Sequence, residues 1–180
     1  QDRRYFLTLL KQYKERFDLK VYAYCFMNSQ VHLLLETPQP TLSRVMQGLN
    51  TAYTKHFNCA HNNLGHVFQG RYQALLIDKK NYLLEATRYV HLAPMRRGLK
   101  EKPWRYPWSS CLAYVEAESQ EPFVESAPVL RLLAVNRLQQ SVRYLRYIKD
   151  KAGRLDSLPK VEGVYVGNEE FVQGVKKASG

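Results

Sequence analysis

The sequence has few cysteines, and none of them forms a closely spaced pair. Cys25, Cys59 and Cys111 are scattered along 180 residues, with no Cys-x-x-Cys motif. Their odd number argues against a disulfide framework, and the absence of a close pair argues against a zinc knuckle. The cysteines therefore predict a protein of a reducing compartment, the cytoplasm.

Long hydrophobic runs are also absent. No segment approaches the roughly 20 apolar residues that span a bilayer. The first residues, Gln1-Asp-Arg-Arg4, open directly into an amphipathic pattern rather than a signal peptide. We therefore expect a soluble, intracellular protein with no membrane partner.

Acidic residues are too few to balance the basic ones. The chain has 27 Lys and Arg against 16 Asp and Glu, which gives a net charge of +11 and a pI near 9.6. This excess favours a polyanionic partner, nucleic acid before membrane; an ordinary solvated basic surface is the alternative. A hydrophobic content of 45% indicates a folded chain, and the length fits one domain or one domain with an appendage.

Hydrophobic periodicity predicts a chain of mixed helices and strands. Apolar residues at helical spacing predict a helix over 2–17, and segments rich in Val, Tyr and Leu predict an antiparallel hairpin of strands 20–27 and 30–37. The further predictions are a helix from Thr41 to about Phe57, a polar loop at 58–65, a strand or irregular strand at 66–78, a helix at 81–93, a short helix at 109–115, helices at 129–133 and 138–148, a loop containing Gly153 and Pro159, and a last helix capped by Asn168.

The order helix, strand, strand, helix, strand, helix is that of a split βαβ sandwich without its first strand. It predicts an α+β, ferredoxin-like antiparallel sheet with helices on one face. A segment before Gln1 and a genuine truncation are alternative explanations for the apparent absence of the first strand. Beyond Glu116 the composition changes to an acidic linker with Glu118, Glu121 and Glu125, followed by helices. We therefore divide the chain into a domain at 1–115 and a C-terminal helical extension at 116–180.

Four blocks carry more specific information. They are Met27-Asn-Ser-Gln-Val-His-Leu-Leu-Leu35, Gly65-His-Val-Phe-Gln-Gly-Arg-Tyr72, Arg88-Tyr-Val-His-Leu-Ala-Pro-Met-Arg96 and Pro107-Trp-Ser-Ser110. In the same order, they resemble the IS200-like single-tyrosine transposases of the HUH, or Y1, class, including the REP-associated members. The stretch Gly167-Asn-Glu-Glu-Phe-Val172 resembles the tail of some members more loosely.

The resemblance implies a nuclease and strand transferase that acts on hairpin-containing single-stranded DNA. Tyr89 matches the family's nucleophile, which attacks phosphorus and leaves a 5′-phosphotyrosine and a free 3′-hydroxyl. A phenol with a pKa near 10 is mostly neutral at pH 7, so a divalent ion, Mg²⁺ or Mn²⁺, is expected to polarise the phosphate. Some members exchange helices between two chains, so a homodimer and a monomer both stay open.

Two positions depart from the family pattern. The family's His-x-His places both imidazoles on one face of a strand, but here Gln30 precedes His32. Four residues after the tyrosine the family commonly has Asn or Gln, and this chain has Ala93. A glutamine oxygen is a weak ligand for either ion, so a metal site of His32 and Gln30 would be weaker than the family's. The alternative is a DNA-binding relative with little or no cleavage.

Polar and aromatic residues around these blocks are predicted to contact DNA. They are Gln69, Arg71, Tyr72, Arg88, Arg96 and Arg97. Arginines suit phosphates, Gln69 suits a base or sugar, and Tyr72 suits stacking on unpaired bases. Structural roles are the alternatives: surface charges for the arginines, and core packing for the tyrosines, Tyr89 included, and for His32. An RNA-binding ferredoxin-like module is a remote third function, because the ribonucleoprotein motif is absent.

Overall fold

The computed structural model describes residues 1–99, 102–116, 123–152 and 161–178. The elements in these ranges are α1 (Asp2–Phe17), β1 (Lys20–Phe26), β2 (Val31–Glu36), α2 (Leu42–His61), β3 (Leu76–Ile77), α3 (Lys79–His91), α4 (Ala93–Arg96), a 3-10 helix (Pro103–Arg105), α5 (Leu112–Val115), α6 (Ser126–Leu130), α7 (Arg137–Ala152), β4 (Val161–Glu162), β5 (Tyr165–Val166) and α8 (Glu169–Ala178). The predicted class of mixed helices and strands is confirmed. None of the described helices is long and apolar enough to cross a membrane.

The chain forms two compact units that interleave along the sequence. One comprises Gln1–Val21 and Leu35–Gln73, and the other comprises Tyr22–Leu34 and Ala74–Gly180. The division into 1–115 and 116–180 stays a prediction. Its acidic linker includes Glu118 and Glu121, and these, like the loop residues Gly153 and Pro159, lie outside the described residues.

The first unit contains α1 and α2, both of which were predicted. In α1, Phe6, Leu9 and Leu10 share one buried face, as their spacing of three and four residues requires. Helix α2 continues to His61, so the loop expected from residue 58 begins only at Asn62. The extra turn is stabilised by contacts that propensity does not reveal, because the His61 ring packs on a neighbouring phenylalanine of α2 at 4.3 Å and its Nε2 lies 3.1 Å from the carboxylate of Asp2.

Gly48 lies where α2 approaches the Tyr13 ring of α1. A Cβ atom at Gly48 would overlap the Tyr13 hydroxyl and lie 2.9 Å from ring carbons. We expect Gly48→Leu to lower the free energy of unfolding, measured in urea, by about 1–3 kcal/mol, because overpacking displaces the ring. Gly174→Leu is the matched control in α8, where a Cβ would meet open space. Equal stability of the two variants would show that Tyr13 moves aside freely.

The strand predicted over 66–78 is mostly wrong, since only Leu76–Ile77 is extended and paired. Gly65 and Gly70 have φ angles of +100° and +80°, and such residues turn the chain rather than extend it. The apolar side chains of the segment do not alternate between two faces, as they would in a strand. Phe68 instead packs on Tyr53 of α2, with ring centroids 5.7 Å apart.

The hairpin of β1 and β2 formed as predicted. The two strands are hydrogen-bonded neighbours, and the Met27 N–H donates to the Gln30 carbonyl at 2.8 Å to close the turn. On the other edge of β1, the N–H of Ser110 donates to the carbonyl of Tyr24 at 3.1 Å. Residues 21–26 are all buried, which fits a strand with neighbours on both edges.

A second sheet was not predicted. Strand β5 pairs in parallel with β3, so that Leu76 lies opposite Tyr165, and pairs antiparallel with β4. Strands of two residues carry no detectable alternation, and this pairing joins segments far apart in the sequence. The predicted last helix is confirmed as α8, where Oδ1 of Asn168 accepts a hydrogen bond from the N–H of Phe171 at 2.9 Å.

Candidate functional site

Helix α3 carries Tyr89 and begins at a well-formed cap. Oδ1 of Asp78 accepts a hydrogen bond from the N–H of Lys80 at 3.1 Å, which satisfies one of the first free donors of the helix. The helix buries one face, made of Leu83, Ala86, Thr87, Val90 and His91. Tyr89 lies beside that face and is half-buried.

Helix α3 ends at His91, close to the predicted end at residue 93, and a separate short helix, α4, begins at Ala93. Pro94 lies in the first turn of the short helix α4, where its missing N–H costs no hydrogen bond. A second short helix thereby carries Arg96, and Arg97 follows it directly. Arg96 and Arg97 therefore lie near Tyr89 in the folded chain.

His32 and Tyr89 lie close to each other. Their ring centroids are 6.2 Å apart and the ring planes are nearly perpendicular, at 86°. This is an edge-to-face contact of ordinary length. Strand β2 and helix α3 therefore present the histidine and the tyrosine to one site.

Arg96 covers the phenol ring. Its Cζ atom lies 3.6 Å from the centroid of Tyr89, a distance well within the range of cation–π attraction. Burial lowers the pKa of Arg96, the Tyr89 side chain opposes that shift, and the like charge of Arg88 adds to it. The guanidinium remains charged at neutral pH, since arginine does not lose its proton in proteins.

Arg97 engages the glutamine that replaces the first histidine of the pattern. Its Nε–H donates to Oε1 of Gln30 at 3.0 Å. Arg96 and Arg97 both influence the pKa of His32. Burial lowers the pKa of His32, and the charges of Arg96 and Arg97 lower it further, so the imidazole is neutral at pH 7.

The family model of IS200-like transposases matches residues 1–92 of the chain. The chain belongs to the IS200-like transposase family. The matched span includes Gln30, His32 and Tyr89, and it supports a transposase-like function with DNA as the partner. No curated protein and no solved structure is similar enough to the chain to count as a match.

IS200-like transposases generally depend on a divalent metal, but the residues of this site do not fit one. Oε1 of Gln30 already accepts a hydrogen bond from Arg97, and the methyl side chain of Ala93 has no ligand atom. A divalent ion beside His32 would also face the charges of Arg96 and Arg97, which repel it. Across the described residues, no group of three or more His, Cys, Asp or Glu side chains is placed to hold a metal ion. A single neutral imidazole binds Mg²⁺ or Mn²⁺ poorly.

The remaining predicted DNA contacts fall in both compact units. Gln69 and Arg71 are exposed in the irregular segment of the first unit. Tyr72 is half-buried, and its hydroxyl lies 3.0 Å from Oγ of Ser43 in α2, so the ring is held to that helix. Arg88 belongs to the second unit, with its Cζ atom 5.2 Å from the ring centroid of Tyr147.

A buried polar network centred on His91 lies behind α3. His91 is fully buried. Its Nδ1 lies 2.7 Å from the hydroxyl of Tyr144, and its Nε2 lies 2.8 Å from Oγ of Ser110. The hydrogen-bond partners of His91 were not predicted from the sequence. Tyr144 and Tyr147 of α7 are three residues apart, and that spacing is equally typical of an exposed helix face.

Proposed function

We propose that this chain is a DNA-binding member of the IS200-like transposases whose metal-dependent cleavage is weak or lost. The observation that carries the proposal is the hydrogen bond from Arg97 to Oε1 of Gln30. It engages the side-chain oxygen that was expected to assist His32 in holding an ion, and it places a positive charge beside that oxygen, which disfavours a divalent cation. Arg96 and Arg97 instead make the site attractive to a phosphate of hairpin-containing single-stranded DNA.

The second candidate is an active single-stranded DNA endonuclease and strand transferase that uses Mg²⁺ or Mn²⁺. The approach of His32 to Tyr89, at 6.2 Å between ring centroids, favours it. In that reaction Oη of Tyr89 forms a bond to phosphorus and loses its proton. The bond from phosphorus to the 3′-oxygen breaks, and the 3′-oxygen gains a proton. The product is a 5′-phosphotyrosine with a free 3′-hydroxyl.

Several finer features belong to the same proposal. A ferredoxin-like core is supported by the β1–β2 hairpin and by the segment around Ser110 that lies alongside β1. The cytoplasm is supported by the scattered free cysteines. A REP-associated type is supported by the blocks around Arg71 and Tyr89. The domain division at residue 116 and a homodimer are retained as hypotheses.

A covalent adduct assay tests the proposal. The protein is mixed with a labelled single strand containing a hairpin, in Mg²⁺ or Mn²⁺, and covalent complexes are counted after denaturation. We expect binding with little adduct from the natural sequence. The triple variant Gln30→His, Ala93→Asn, Arg97→Ala restores ligands and removes one competing charge, so its adduct yield should rise about tenfold or more.

The control is Tyr89→Phe in the triple variant, which removes the nucleophile and should abolish the adduct. Abundant adduct from the natural sequence that disappears in Tyr89→Phe would support the endonuclease and overturn the first proposal. Failure to bind any structured single strand would overturn both.

A further inference from the structure

Two guanidinium nitrogens near Tyr89 are buried without a hydrogen-bond partner. They are Nε of Arg88 and Nη2 of Arg96. Buried donors in proteins are nearly always paired, and leaving a charged donor unpaired is costly. In the described part of the chain, neither arginine forms an ion pair with a carboxylate. Both donors would gain a hydrogen-bond partner if an acceptor entered this location.

The two arginines flank the tyrosine. Arg88 immediately precedes Tyr89 in α3, and the guanidinium of Arg96 lies on the phenol ring. They are close enough for the charge of Arg88 to contribute to lowering the pKa of Arg96. Like charges held together repel one another, and an anion bound to both would offset that repulsion by its attraction to each.

Helix α7 holds Arg88 in place. Cζ of Arg88 lies 5.2 Å from the ring centroid of Tyr147, and Tyr144 one turn earlier is hydrogen-bonded to His91 of α3. Burial raises the pKa of Tyr147 to about 12, with Arg88 opposing and Glu85 adding to the shift. The Tyr147 ring is thus a neutral aromatic surface against which the charged guanidinium of Arg88 packs. Glu85 also faces Tyr147, since its charge and its hydrogen bond with the phenol both raise the pKa of Tyr147.

We propose that Arg88 and Arg96 form a phosphodiester-binding site that requires no divalent cation, and that Tyr147 of α7 positions Arg88 within it. Nε of Arg88 and Nη2 of Arg96 donate to the non-bridging oxygens of one DNA phosphate beside Tyr89. Guanidinium groups suit this task because their fixed, charged donors match phosphate geometry. The proposal rests on the proposed DNA-binding function. It adds that the two guanidinium groups supply the positive charge that a metal ion would otherwise supply.

The first test is DNA affinity in EDTA. Fluorescence anisotropy with a labelled hairpin oligonucleotide bearing a single-stranded tail should give the same affinity in EDTA and in Mg²⁺. Arg88→Ala and Arg96→Ala should each weaken binding about tenfold or more. Each should also reduce the slope of log affinity against log salt by about 0.7, the value for one single-strand phosphate contact.

Lys149→Ala is the matched control. It removes the same charge from α7, but its ammonium lies over Trp104 at 5.4 Å and not at the site. Its effect on affinity should be less than about twofold, because exposed charges contribute little. Arginine variants that weaken binding no more than Lys149→Ala would overturn the site.

The second test concerns Tyr147. Tyr147→Leu should weaken DNA binding as much as Arg88→Ala. The double variant should bind no more weakly than either single variant, because both changes disable the same group, the guanidinium of Arg88. Tyr147→Phe retains the ring and should bind normally. Additive losses would overturn the positioning role. If Arg88→Ala fails to fold, Arg88→Lys retains the charge without the Nε donor, and normal affinity of that variant would overturn the proposal.

Two further outcomes separate the possible failures. Binding that vanishes in EDTA and returns with Mg²⁺ would overturn the metal-free site while leaving DNA binding intact. Absence of DNA binding under all conditions would instead remove the proposed function.

Inorganic phosphate tests the source of the anion. If it raises the melting temperature through Arg96 while Arg96→Ala leaves DNA affinity unchanged, the site takes free phosphate rather than DNA, and the proposal fails.

Discussion

Tyr144→Ala is expected to lower the free energy of unfolding by about 4 kcal/mol. Tyr144 is fully buried in α7, and its ring packs on Tyr114 with centroids 4.8 Å apart. Truncation of a large buried aromatic side chain costs about 3–5 kcal/mol through lost contacts and the cavity left behind. The change also removes the hydroxyl that lies 2.7 Å from Nδ1 of His91. Urea denaturation followed by circular dichroism gives the value.

Two further variants keep this result interpretable. Tyr144→Phe removes only the hydroxyl and should cost about 1–3 kcal/mol, because it leaves Nδ1 of His91 unpaired in the core. This variant remains measurable if the alanine variant does not fold, given total stabilities of about 5–15 kcal/mol. Arg146→Ala changes an exposed side chain of the same helix and should change stability by less than about 0.5 kcal/mol. A Tyr144→Ala variant as stable as Arg146→Ala would show that α7 is not part of this core.

Elements with a complete local pattern could be predicted from the sequence. Helix α1 has its own apolar stripe, and Asp18, at φ 50°, ends it in the left-handed conformation. The β1–β2 hairpin has a polar turn between two apolar runs, so its register follows from the chain itself. In both cases the information lies within one short segment.

Elements that depend on a distant partner could not be predicted. Strand β5 exists through its pairing with β3, and Leu76 and Tyr165 are opposite each other only in the folded chain. The sequence also gives no reason for Tyr144, among 13 tyrosines, to be the one that reaches His91. Its burial is a property of the packing of α7 on α3 and α5 rather than of α7 alone.

The candidate site shows the same limit. The family blocks identified His32 and Tyr89, and the loss of ligand atoms at Ala93 was visible in the sequence. The contact between Arg97 and Gln30 joins residues separated by 67 positions and was not. It depends on the break at Leu92, where α3 ends and the short helix α4 begins. Arg96 and Arg97, which follow that break, place two positive charges near His32.

His91 should make folding stability depend on pH. Burial lowers its pKa from 6.5 to about 3, so between these values the unfolded chain binds a proton that the folded chain does not. Stability from this residue is therefore complete above pH 6.5 and is lost as the pH falls towards 3. The slope approaches about 1.4 kcal/mol per pH unit, which gives a loss of about 2 kcal/mol between pH 7.5 and pH 5.

Urea denaturation at several pH values, for the natural sequence and for His91→Gln, measures this term. Glutamine is neutral throughout, so the loss of stability at pH 5 should shrink by about 2 kcal/mol in the variant. His32 acts in the same direction, since burial and the nearby arginines lower its pKa as well, and some slope should persist. Gln73→Ala is the control, because Gln73 is exposed and has no titratable group, so its replacement should leave the slope unchanged. An equal slope in His91→Gln and the natural sequence would mean that His91 is charged in the folded core, with the hydroxyls of Ser110 and Tyr144 as the hydrogen-bond partners of an imidazolium.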